Sequence, residues 1–199
     1  SSSGAPGITT TDLTGGPGYS SGNYTNDFGG TSSATPLVSG VVALMLEANN
    51  NLTYRDVKDV LLRSATRNDP TDSDWVQNGA GLWVNHKYGF GAVDAEAAVA
   101  LARNHVTLGT QISHSTPVLQ VNAAIPDGPT GSVSTSTRVD EEIILEYVEL
   151  EFNATHPNRG QLEVVLVSPT GTRSVMAERR GTDTCLLYTS DAADDLTRV

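Results

Sequence analysis

The chain has 199 residues, 12 Lys+Arg against 23 Asp+Glu for a net charge of −11, 38% hydrophobic residues, 19 Gly and one Cys. That length admits one large domain or two modest ones, with enough apolar residues for a core. With no basic block to release counterions from phosphates, nucleic acid is excluded as a partner; the lone Cys185 excludes a disulfide framework and a cysteine zinc site; and no unbroken apolar run reaches roughly 18 residues, which predicts no membrane span.

Residues 1–30 are mostly Gly, Ser, Thr, Asn and Pro, the composition of loops and short strands, with Ile8-Thr9-Thr10-Thr11 as the β-like stretch. The opening Ser1-Ser2-Ser3-Gly4 carries neither an initiator Met nor a charged-then-apolar leader, and it predicts a piece of a longer protein. From Ala34 to Leu46 the residues Leu37, Val38, Val41, Val42, Leu44, Met45 and Leu46 are separated only by small ones. A helix apolar on every side is predicted to be buried. Thr53-Tyr54-Arg55-Asp56 resembles a capping box with Asp in place of Glu, and Val57, Val60 and Leu61 continue a half-exposed helix to about Ala65.

Residues 66–92 read as an ordered loop with Trp75, Trp83, Tyr88 and Phe90 among glycines. Asp94 then caps a third helix whose Ala97, Ala98, Leu101 and Ala102 face inward. Glu96 in its first turn and Arg103 in its last suit the helix dipole. After Leu108 helical periods give way to alternation, at Val118–Asn122 and again at Val148–Phe152, and Leu162–Val167 is a β-branched run ending at Ser168-Pro169-Thr170-Gly171. The organisation expected is therefore an α/β unit over 1–107 and an all-β sandwich over 108–184. Because the junction lacks a Pro-rich spacer, the two are expected to pack together. Residues 185–199 fit neither unit and are expected to be a non-native or disordered tail.

The stretch that carries chemistry is Gly30-Thr31-Ser32-Ser33-Ala34-Thr35-Pro36, followed by Ser39-Gly40. A serine at a helix N-terminus lies at the positive end of the dipole with its own N–H unpaired, so Ser32 can supply both a nucleophilic Oγ and an oxyanion donor. Pro36 is expected in the first turn, where a missing N–H costs nothing. An isolated serine here would be read as an N-cap. The whole run, however, resembles the serine active-site segment of the subtilisin-like proteases.

Glu47-Ala48-Asn49, Leu52-Thr53-Tyr54-Arg55-Asp56-Val57 and His86-Lys87-Tyr88-Gly89-Phe90-Gly91-Ala92-Val93-Asp94-Ala95 narrow the resemblance to the kexin and furin branch, the proprotein convertases. In that branch a P-domain β-sandwich follows the catalytic domain. The stretch Val148–Thr172, with Asn153-Ala154-Thr155-His156, Arg159-Gly160-Gln161-Leu162 and Ser168-Pro169-Thr170-Gly171-Thr172, is similar to its core. The resemblance thus implies the C-terminal part of a subtilisin-like α/β catalytic domain followed by a truncated, jelly-roll-like P domain.

Several consequences follow from the resemblance alone. The parent is a serine endopeptidase acting on protein or peptide substrates, with kexin-like cleavage after basic residues, calcium support and a place in the secretory pathway. Ser32 is the nucleophile, and the catalytic Asp and His precede it. None of His86, His105, His114 and His156 carries the Gly that follows the family's catalytic His, and Asp12 and Asp27 lie outside an Asp-Gly motif. The chain by itself is accordingly expected to be inactive, with no calcium ligand assignable in it. Glu141-Glu142 and Arg179-Arg180 read as surface charge rather than as a subsite or a processing site. Asn23-Tyr24-Thr25, Asn51-Leu52-Thr53 and Asn153-Ala154-Thr155 match the glycosylation acceptor pattern. Two rivals stand beside this reading: a P-domain subtilase of other specificity, and a non-catalytic secreted β-sandwich module.

Overall fold

The computed structural model describes residues 7–126, 128, 131–140 and 143–181, together with the backbone of 191–195. Calls on Ser1–Gly4, Glu141-Glu142 and Cys185 lie outside the described residues. The chain divides into two compact units, Ser1–Leu108 and Gly109–Val199.

The first unit opens with an antiparallel hairpin of β1 (Ile8–Thr11) and β2 (Tyr24–Phe28), in register Ile8 to Phe28, Thr10 to Thr25 and Thr11 to Tyr24, with an irregularity between Ile8 and Thr10. Only β1 was anticipated from composition. Three helices follow: α1 (Thr31–Ala48), α2 (Tyr54–Ser64) and α3 (Ala95–Arg103). The capping box at Thr53 and Asp56 is present in both directions, and the Asp94 side chain accepts from the Ala97 N–H, so both predicted helix starts are found. Between α2 and α3 the loop contains a two-stranded hairpin, β3 (Val76–Gln77) with β4 (Trp83–Val84). A bridge between Thr66 and Ala92 closes this loop. Gly91 makes the closure possible, because a Cβ there would lie 2.4 Å from the Thr66 carbonyl oxygen.

Helix α3 packs on both α1 and α2. The core joins Val41 and Met45 of α1, Val60 of α2, Ala98 and Ala102 of α3, and Leu52. The alanines, four residues apart on one face, let the helices approach closely. Burying Met45 and Val60 completely contributes about 1.5–3 kcal/mol each.

The expectation that α1 is buried all round needs correction. Its buried residues are Ser33, Val41 and Met45, while Leu37 is 53% and Leu44 49% exposed. Among the described residues, elements cover only the stripe that faces α3. Alternating small and apolar residues make every side of the helix compatible with burial, but they do not provide the cover. A second correction concerns membrane character: at 18 residues α1 is long and apolar enough to cross a bilayer by length and composition. The unbroken-run criterion passed over it because Ser39 and Gly40 interrupt the run. Only the stripe of Val41 and Met45 packs against the other helices of this unit.

The second unit has, among its described residues, four strands and a single 3-10 turn at Arg159–Gln161, and no α-helix. Strand β5 (Val148–Phe152) pairs antiparallel with β8 (Asp191–Asp195), and β6 (Val164–Val167) with β7 (Arg173–Ala177). The alternating segment Val148–Phe152 is a strand as predicted, and the β-branched run Leu162–Val167 contains the strand Val164–Val167. The alternation at 118–122 is not a strand: Val118 is 76% exposed and no strand covers 109–147 among the described residues. Alternation gives a strand two faces, but pairing requires a partner backbone. Within 185–199 the finding is specific: residues 191–195 form a strand against β5, where the sequence suggested no element.

Candidate active site

The approach to Ser32 is set by the backbone. Strand β2 ends at Phe28, and Gly30 caps α1 at φ 88°, ψ −179°, a region that only glycine occupies without strain. Nothing lies within 4 Å of a Cβ built there, so it is conformation and not crowding that requires glycine. With no side chain at the cap, the Gly30 carbonyl anchors the first turn: it accepts from Ser33 Oγ at 2.7 Å, from the Ser33 N–H at 3.1 Å and from the Ala34 N–H at 3.3 Å.

These bonds divide the labour between two adjacent serines. Ser33 is buried and committed, whereas Ser32 is exposed. Among the described residues none hydrogen-bonds to the Ser32 hydroxyl. Its N–H is the second of the helix and has no acceptor within α1. Thr35 and Ser39 bond backward to the carbonyls of Thr31 and Thr35 and stay within the helix.

Pro36 is not in the first turn. It is the sixth helical residue, where an N–H would ordinarily reach the carbonyl four residues back, that of Ser32. The proline therefore removes a bond from Ser32 itself. Both the N–H and the C=O of that residue are left outside the helical ladder.

Two histidines in the first unit face carboxylates. His86 Nδ1 lies 3.0 Å from Asp74 Oδ2, and the His86 N–H, followed by the ring, holds the Asp74 carboxyl below its ordinary range. His105 Nε2 lies 3.1 Å from Asp56 Oδ1 in the interior. Burial pushes the Asp56 carboxyl up, but donors from the Leu108 N–H, the Thr53 hydroxyl and N–H, and His105 outweigh it, and the net value is lowered to about 2. His156 Nδ1 is within hydrogen-bonding distance of the Asn158 backbone. No described contact joins the His86 or His105 ring to Ser32, so the described residues of the first unit form no Ser-His pair.

The remaining sequence candidates fall as follows. Arg179 Nε is 3.9 Å from Glu163, and the Arg180 N–H donates to the Gly160 carbonyl at 2.8 Å. Thr53 of the Asn51-Leu52-Thr53 run spends its hydroxyl on Asp56 at 2.6 Å. Sequence reasoning found Asp56 as a cap but missed its second oxygen, which bonds across 52 residues to Leu108. It also missed Asp72, which is held below its ordinary range first by Lys87 Nζ and then by the Asp74 N–H. Neither partner is signalled by local spacing.

Residues 4–91 match the Subtilase family and residues 145–193 the Proprotein convertase P-domain. The chain thus carries a match to a subtilase segment followed by a match to a P-domain segment, the order that the resemblance to the kexin- and furin-like branch of the subtilisin family implies. It is 39% identical over 163 residues to rat proprotein convertase subtilisin/kexin type 6, covering 76% of this chain and 17% of the relative. Over 179 residues it is 34% identical to Furin-1 of Xenopus laevis, covering 86% and 22%. Its fold matches the crystal structure of the serine protease of Aeromonas sobria with a TM-score of 0.79 and 29% identity over 95% of this chain and 43% of that one. The same protease in complex with its chaperone ORF2 matches with a TM-score of 0.78. The chain thus spans about a fifth of the length of these curated relatives.

Calcium, which the family resemblance implies, is given no cage of acidic side chains by the described residues. Among the described residues no three acidic or metal-binding side chains converge, and the neighbouring Asp72 and Asp74 are occupied by Lys87, Asn85 and His86. These residues do not fit the ion.

Proposed function

We propose that the protein containing this chain is a serine endopeptidase in which Ser32 is the nucleophile. The observation that carries the reading is the exposed, uncommitted hydroxyl of Ser32 in the first turn of α1, beside a serine that is buried and bonded. In the reaction, a histidine from a part of the protein upstream of residue 1 takes the Ser32 proton. Oγ attacks the scissile carbonyl carbon, and the Ser32 N–H, outside the helical ladder, donates to the oxygen as it gains charge. The positive end of α1 favours that charge. Gly30, lacking a side chain, leaves room for substrate backbone beside the nucleophile.

The substrates proposed are proteins or peptides cut after basic residues, a reading supported by identity to the convertases. Calcium binding by the rest of the protein, passage through the secretory pathway and packing of the P-domain segment on the catalytic segment belong to the same proposal. A second reading keeps the chemistry and changes the cleavage preference; likeness to the Aeromonas sobria serine protease over 95% of the chain favours it. Turnover of fluorogenic peptides by the full-length protein tests both. Hydrolysis after Arg-Arg that is lost in Ser32→Ala supports the first, and hydrolysis confined to non-basic peptides supports the second. Undiminished hydrolysis by Ser32→Ala removes Ser32 from the mechanism.

A further inference from the structure

The hairpin of β3 and β4 turns through Asn78-Gly79-Ala80-Gly81-Leu82, and Asn78 organises the turn. Its backbone N–H donates to the Leu82 carbonyl and its own carbonyl accepts from Gly81, both at 2.9 Å. Its side chain, 93% buried, is held by one atom only. Oδ1 accepts from the Ala80 N–H at 3.0 Å and the Leu82 N–H at 2.9 Å. Since both partners are donors, the amide orientation is fixed. The amide nitrogen Nδ2 is buried with no hydrogen-bond partner among the described residues, a condition that costs about 1–3 kcal/mol.

Each half of this arrangement has a chemical consequence. Two N–H donors on Oδ1 polarise the amide carbonyl, making Cγ more electrophilic, and are at hand for the negative charge that develops on Oδ1 if a nucleophile adds to Cγ. The nucleophile adjacent in the chain is the Gly79 nitrogen, whose N–H makes no hydrogen bond among the described residues and which has no side chain to hinder approach. An unheld Nδ2 is free to leave. We propose that Asn78 is a site of spontaneous deamidation, promoted by the fold through the Ala80 and Leu82 N–H groups. The exposed Gly79 N–H gives its proton to hydroxide and its nitrogen bonds to Cγ; the addition makes Cγ tetrahedral and turns Nδ2 toward solvent, where it takes a proton from water, regenerating the hydroxide, and the Cγ–Nδ2 bond breaks to release ammonia. Water then opens the five-membered imide to aspartyl or isoaspartyl. Either product adds a negative charge to the hairpin, and the isoaspartyl product also lengthens its backbone.

A comparator sits seven residues away. Asn85 is likewise buried and likewise accepts a backbone N–H, from Lys87 at 2.8 Å, but its Nδ2 donates to Asp72 Oδ1 at 3.2 Å. It is followed by His86, whose ring is bound to Asp74. The leaving nitrogen is held and the next residue is bulky, so Asn85 is expected to persist.

The test incubates the 199-residue chain at mildly alkaline pH beside a synthetic peptide of residues 68–87, which contains Asn78 and Asn85, together with Asn68, without the fold. Conversion is read by mass spectrometry of the tryptic fragment, with Asn78→Asp as standard. Amide protection of Leu82 in the same sample confirms that the hairpin is formed. The expected result is conversion at Asn78 about tenfold faster in the chain than in the peptide, with Asn85 unchanged. Conversion at Asn78 no faster in the chain than in the peptide, or conversion at Asn85 ahead of Asn78, overturns the proposal. Gly79→Ala is expected to slow the reaction in chain and peptide alike.

Discussion

Asp56 Oδ1 accepts the Leu108 N–H at 2.7 Å, across 52 residues, while Oδ2 of the same carboxylate accepts the Thr53 N–H at 2.7 Å. A single fully buried side chain therefore caps α2 and fixes the segment that leaves α3. Asn49 adds to the fixing: its Nδ2 donates to the Ala102 carbonyl at 3.0 Å. The last residues of the first unit are held by side chains from the start of α2 and the end of α1.

Replacing Asp56 by Asn keeps the shape but puts an amide N–H₂ against donors on one side or the other. A loss of about 3 kcal/mol is expected, read as a lower midpoint in urea. Thr53→Ala, which removes one donor and leaves the carboxylate in place, is expected to cost about 1 kcal/mol. Equal costs for the two would contradict the central role of the carboxylate.

The same group sets an acid limit. Its folded value of about 2 lies below the ordinary value of 3.8, so its contribution is complete above pH 3.8 and is lost as pH falls through 2. The difference amounts to about 2 kcal/mol. Stability measured between pH 5 and pH 2 is expected to fall more in the native sequence than in Asp56→Asn. Parallel curves would show that Asp56 titrates normally in the folded chain.

Gly30→Ala forces a side chain onto a glycine-only conformation at the cap of α1. The strain of about 1–3 kcal/mol is expected to appear as displacement of the Ser32 turn, with slower acylation of the full-length protein and little loss of thermal stability in the remaining helices. Unchanged acylation would mean that the turn does not depend on the Gly30 conformation.

Leu37 and Leu44 leave one side of α1 apolar and exposed. The isolated chain is expected to bind an apolar dye and to self-associate, and Leu37→Glu with Leu44→Glu is expected to suppress both without lowering the melting temperature. A fall in melting temperature would show that these leucines are packed in solution.

Much of the first unit was legible in sequence because its signals are local. The capping box at Thr53 and Asp56, the cap at Asp94 and the run around Ser32 each lie within a few residues. What escaped was non-local or contextual. The burial of α1 depends on which elements cover it, the position of Pro36 on where the helix begins, and the grip of Asp56 on a backbone 52 residues away. In the second unit, alternation at 118–122 satisfied the strand pattern without a partner, whereas 148–152 and 164–167 found partners. Ser32 stood out because its motif is continuous. The rest of a triad comes from distant parts of a chain and has no local signature.

The most direct measurement is labelling of the full-length protein with a fluorophosphonate, which reacts covalently with an activated serine, followed by mapping of the modified peptide. Ser32 is expected to carry the label and Ser32→Ala to lose it, with Ser33→Ala retaining labelling at a reduced rate because the first turn loses its bond to the Gly30 carbonyl. Equal labelling of the native protein and Ser32→Ala would contradict the assignment of Ser32 as nucleophile.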